Sequence, residues 1–118
     1  MVERIAWGLL AALHLMPALA FFSPALIARL YGVEAGGTAF ALLQHRAALF
    51  ALVVVICIAA IFDPAVRRLA VVAVAISMIS FLLVYATSGQ PPALRGIAIA
   101  DLIGLVPLAY VAWRAFVA

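Results

Sequence analysis

The sequence predicts an all-α fold, a bundle of four transmembrane helices with a short interfacial helix between the first and second spans. Three observations carry that expectation. Hydrophobic residues make up 71% of the 118 positions and charged residues 9%, whereas a soluble domain is roughly 45–50% apolar and about a quarter charged. The apolar residues gather into four runs, each close to the ~20 residues a helix needs to cross a hydrocarbon core. None of the runs alternates with the period of two that a barrel strand requires. This composition excludes a soluble enzyme, a disulfide-stapled secreted module and a disordered chain. The net charge of +3 is too small and too dispersed for a nucleic-acid footprint; in a membrane protein it is an orientation signal.

All 118 residues read as one integral membrane domain. The first span covers about residues 5–22. Ala18-Leu19-Ala20 resembles a signal-peptide cleavage site, but Glu3 precedes the apolar stretch and His14 interrupts it, so a retained span is expected. Ser23-Pro24 then offers an N-cap followed by proline at the first helical position, and Gly32 offers a stop. The segment between them, about residues 24–31, is short and amphipathic, as expected of a helix lying on the membrane surface. The second span covers about residues 38–62. Asp63-Pro64 repeats the cap-plus-proline start before a third span at about 69–88, and Gly89-Gln90-Pro91-Pro92 breaks the chain before a fourth at about 93–117.

Four crossings place both termini and the second loop on one side. That side carries Arg4, Arg67, Arg68 and Arg114, against Arg29 and Arg95 on the other, so the positive-inside rule favours cytoplasmic termini in a bacterial inner membrane. Trp7 and Trp113 are then expected at the inner interface, and Tyr31 and Tyr85 near the outer one, as an aromatic belt.

Polar residues inside the spans carry the functional signal. His14, His45, Arg46, Ser80 and Asp101 each lie seven or eight residues from the outer end of their run, or ~12 Å at 1.5 Å per residue. Four helices thus contribute to one polar layer. Arg and Asp each cost about 2.5–3.5 kcal/mol at a helix centre, so they should face the bundle and find partners. Arg46 with Asp101 is the obvious pair, with His14, His45, Gln44 and Ser80 completing the hydrogen bonding. Gly96, Ala100 and Gly104 follow the small-xxx-small spacing that lets helices approach closely. Pro17 removes the amide that would bond to the Leu13 carbonyl, beside His14.

This layer suits a pocket for a small amphipathic or anionic lipophile, Arg46 taking its anionic or carbonyl end and Asp101 orienting Arg46. Other readings are a structural or accessory subunit of a membrane complex, or a homo-oligomer, with the layer as a clasp. An acid–base enzyme acting on an isoprenoid, sterol or quinone would need a cavity reaching both His45 and Asp101. His14 and His45, on adjacent spans at one level, also admit a bis-histidine haem. Metal binding lacks a close i, i+4 ligand pair, HExxH or CxxC, and Cys57 is a lone small hydrophobe. Nucleotide binding lacks a P-loop or GxGxxG.

Several strings share a wider likeness: Leu30-Tyr31-Gly32-Val33, His45-Arg46-Ala47 with Leu49-Phe50, Ser77-Met78 with Ser80-Phe81, and Ala100-Asp101. Between about Leu30 and Leu105 the chain resembles a group of small bacterial four-helix membrane proteins, similar in architecture to the DoxX-like families. Some members carry the label phosphopantetheine adenylyltransferase, but the HxGH signature of that soluble α/β enzyme has no counterpart here. The DoxX likeness implies a link to redox or quinone-associated membrane complexes.

Overall fold

The computed structural model describes residues 1–32 and 36–117; Val33, the last residue of the Leu30–Val33 string, lies outside them. Five α-helices follow in order: α1 (Val2–Leu19), α2 (Pro24–Tyr31), α3 (Gly37–Phe62), α4 (Arg67–Thr87) and α5 (Arg95–Phe116), with no strand among the described residues. Four segments, built on α1, α3, α4 and α5, are long and apolar enough to cross a membrane. The molecule is 45 Å long, comparable with the ~40–45 Å of a bilayer including its headgroups.

Capping chemistry sets the junctions. Helix α1 runs through Pro17 and tightens into a 3-10 turn, Ala20–Phe22. Ser23 then turns extended, and its Oγ accepts the Leu26 N–H at 3.2 Å while Pro24, which has no N–H to leave unpaired, opens α2. Helix α2 stops at Gly32, whose φ of +67° lies in the left-handed region. Asp63 Oδ1 accepts the Ala65 N–H at 2.9 Å, so the Asp-Pro start nucleates a 3-10 turn, Pro64–Val66, before α4 begins. Gly89 and Gln90 both adopt positive φ, reversing the chain ahead of α5.

The four long helices form a ring in chain order, α1, α3, α4 and α5, with α5 closing on α1. Packing is most extensive between α1 and α3 and sparsest between α3 and α4. Small residues fill the helix junctions: Ala6, Ala11, Ala47, Ala60, Ala70 and Ala98 are buried, while Ile5, Leu52, Leu69, Ile76, Ile103 and Val106 face outward. This arrangement fits helices that associate by close packing in a solvent as apolar as their own side chains.

A methyl group on Gly104 would sit 2.5 Å from Met78 Cε and 2.6 Å from Leu13 Cδ1, so α5 meets α1 and α4 closely there and the ends of both side chains would have to shift to admit a Cβ. The rest of the stripe behaves differently from expectation. A Cβ on Gly96 would meet nothing within 4 Å, and Gly96 and Ala100 line a cavity. Small residues permit close approach only where the facing helix arrives, and elsewhere they leave space.

The larger core holds Trp7, Leu10, Cys57, Val74, Met78, Leu108 and Val111; a smaller one beneath α2 holds Ala20, Ile27, Tyr31, Phe40 and Ala47. Two residues expected in an aromatic belt are therefore interior. Trp7 is 0% exposed and Tyr31 7%, because α1 is enclosed by α3 and α5, and α2 folds back over α3. Trp113 is 51% exposed. Tyr85 is half-buried and stacks on Phe81 with ring centroids 6.3 Å apart.

Candidate binding site

His14, the buried polar residue of the bundle, organises one side of the polar layer. Its Nδ1 lies 2.8 Å from the Leu10 carbonyl oxygen one turn earlier. A carbonyl can only accept, so Nδ1 carries the proton, and the neutral ring's Nε2 accepts from the Ser77 hydroxyl of α4 at 3.3 Å. The partner on α4 is thus Ser77 rather than the expected Ser80, which is exposed and donates to the Ser77 carbonyl in its own helix at 3.4 Å. One helical turn separates the two serines, and only the lower one faces α1.

Arg46 and Asp101 do not form the expected ion pair. The ion pairs among the described residues, taken as N···O contacts within 4.0 Å, lie at the far end of the bundle, Arg67 to Glu3 at 3.2 Å and Arg114 to Glu3 at 3.6 Å. The Arg46 guanidinium carbon is instead 5.0 Å from the centroids of both Phe50 and Phe81, and 5.7 Å from that of Tyr31. Ring faces carry the negative end of their quadrupole, so three rings stabilise the cation without neutralising it. Phe50 is placed by the i, i+4 spacing on α3, Phe81 by α4 and Tyr31 by the folded-back α2.

Two cavities flank Phe50. One, of about 280 Å³, runs between α1, α2 and α5 and is lined by His14, Pro17, Arg29, Gly96 and Asp101 among apolar groups. The other, of about 330 Å³, opens between α3 and α4; Arg46, Ser77 and Ser80 supply its polar wall and Leu49, Val53 and Ile76 part of its apolar wall. The His14 and Phe50 rings, 5.8 Å apart, stand between the two. The predicted single layer is therefore two half-layers, with His14 and Asp101 on one side and Arg46 with the serines on the other.

Two members fall outside both. Gln44 Nε2 donates to the Phe21 carbonyl at 3.2 Å, tying α3 to the end of the first span. His45 is exposed on α3 and lines neither cavity. Consecutive helical residues point about 100° apart, so Arg46 facing the bundle turns His45 away from it. With both His14 ring nitrogens bonded within the bundle and His45 outside, the two histidines do not present free nitrogens to a shared space. Among the described residues no three His, Cys, Asp or Glu side chains gather as a ligand set.

Tyr31 is the residue that the sequence reading missed. Its hydroxyl is buried without a hydrogen-bond partner among the described residues. Burial pushes the phenol above its ordinary range, with the Arg46 charge pulling it back and the Asp101 charge pushing it further up. It is a neutral donor placed where the fields of both residues reach.

Comparisons with known protein families, with curated proteins and with solved structures find no match.

Proposed function

We propose that this chain is a multi-pass membrane protein that binds a small lipophile with an anionic or carbonyl end in the cavity between α3 and α4, with Arg46 holding that end. One observation carries the reading: Arg46, half-buried within a span, has no carboxylate at ion-pair distance among the described residues and lines a cavity whose other walls are mostly apolar. A guanidinium in that setting is expensive unless a partner meets it. The aromatic rings hold its position and leave its N–H groups for an acceptor, a role assigned to Asp101 on sequence grounds. Ser77 and Ser80 add hydroxyl groups to the same wall.

In this reading the protein sits in a bacterial cytoplasmic membrane, the Arg67–Arg114 end and both termini inside, with α2 lying on the outer interface. The likeness to DoxX-like proteins adds quinones to the candidate ligands, since a quinone joins carbonyl oxygens to an apolar body. The acid–base enzyme alternative needs one cavity reaching His45 and Asp101, and the outward His45 counts against it.

Native mass spectrometry of protein gently extracted from its own membrane tests the proposal. A small adduct should be retained by the parent chain and by Arg46→Lys in part, and lost from Arg46→Gln. A bare chain found only as an oligomer or tied to another subunit would overturn it in favour of the accessory-subunit reading. That reading also expects Arg46→Gln with Asp101→Asn to disturb assembly and no adduct.

A further inference from the structure

At the opposite end of the bundle, arginine donors outnumber the acceptors that the described residues provide. Arg67 is engaged through all three nitrogens, with N–H groups to spare: Nε donates to the Ala60 carbonyl at 2.7 Å, one terminal nitrogen to the Ile61 carbonyl at 3.2 Å, and the other meets Glu3. Arg68 donates Nε to the Ala115 carbonyl at 2.9 Å and lies over Phe116. Arg114 reaches Glu3 through Nε. The terminal nitrogens of Arg68 and Arg114 make no hydrogen bond or ion pair among the described residues. With Glu3, Arg67, Pro64 and Ala65 these two side chains line a cavity of about 370 Å³, where three guanidinium groups face one carboxylate.

We infer that Arg67, Arg68 and Arg114 form a phosphate-binding cup, and that the headgroup of an anionic phospholipid fills it. Planar guanidinium groups match phosphate oxygens two at a time. The cup lies where α1 and α4 begin and α3 and α5 end, which is headgroup depth for spans of this length. Its surroundings suit a lipid: Phe62, Trp113 and Phe116 are all exposed around the same end, and basic pockets between spans are a recurrent way to hold anionic headgroups. The inference rests on the four spans and is independent of the Arg46 cavity.

The test is lipid binding by the full-length protein in detergent, followed by native mass spectrometry with phosphatidylglycerol, phosphatidylcholine and inorganic phosphate as separate probes. Phosphatidylglycerol should bind about thirtyfold more tightly than phosphatidylcholine, and Arg68→Gln with Arg114→Gln should bring the two within about threefold. Equal binding of the two lipids by the parent chain, or an undiminished preference in the double variant, would overturn the inference. Binding of inorganic phosphate without lipid preference would overturn the lipid as the occupant. Glu3→Gln supplies a variant of opposite sign, independent of whether the double variant folds. It should raise phosphatidylglycerol affinity about fivefold, and unchanged or weaker binding would count against the cup.

Discussion

The two ends of the bundle treat charge in opposite ways. At the end where the spans α1 and α4 begin, Glu3 meets two arginines, and Arg67 and Arg68 also satisfy the last carbonyls of α3 and α5. The adjoining core is closely packed around Trp7, Leu10 and Met78. In the other half Arg46 is held by rings, Asp101 lines a cavity away from it, and Phe50 separates two voids. At one end the arginines are tied to the chain by carbonyls and a carboxylate; in the other half Arg46 is met by rings, with no ion pair among the described residues. On the proposed function that contrast is what a binding site costs a small bundle, and the sparsest of the four junctions in the ring is the one that holds Arg46.

The largest test of the contrast compares truncations in each half. Trp7→Ala should lower stability by about 3–5 kcal/mol, measured by denaturant unfolding in detergent, because the ring is fully enclosed. Phe50→Ala, bordering existing voids, should cost well under half of that; equal losses would erase the distinction. Next, Arg67→Gln should cost about 2–3 kcal/mol by leaving Glu3 and two helix-terminal carbonyls with weaker partners, and Glu3→Gln in the same background should recover part of the loss. His14→Ala should cost about 1–2 kcal/mol, the range of intramembrane hydrogen bonds, and Ser77→Ala less, while Ser80→Ala should leave stability unchanged. The smallest effect has the opposite sign. Tyr31→Phe removes a buried hydroxyl with no partner among the described residues and should be neutral or stabilising by up to about 1 kcal/mol; a clear loss in the same unfolding assay would reveal a bond to Tyr31 Oη.

The spans were legible because length and apolarity are properties of the chain alone, and the junctions because Ser23-Pro24, Gly32 and Asp63-Pro64 act locally. The depth of the polar residues was legible too, through rise per residue. Their direction was not. In spans that are apolar all round, periodicity does not separate the inner face from the outer, so His45 and Arg46 were read together although adjacent residues cannot share a face. Ser77 enters the sequence reading only in the Ser77-Met78 string, since its partner, His14, is set by how α1 and α4 rotate. The cage around Arg46 was half visible, in the i, i+4 spacing to Phe50; Phe81 and Tyr31 arrive by tertiary folding.

Arg67 has a mechanical consequence. Its bonds to the Ala60 and Ile61 carbonyls are the hydrogen bonds that join α3 to α4 among the described residues, and they sit at one extremity of the pair. Toward the other extremity the two rods touch through the Arg46 guanidinium and Phe81. The pair is thus pinned by hydrogen bonds at one extremity and by a cation–ring contact toward the other. On the proposed function, a guest drawing the guanidinium off Phe81 would loosen that contact without breaking a hydrogen bond, and admission and recognition would fall to the same side chain.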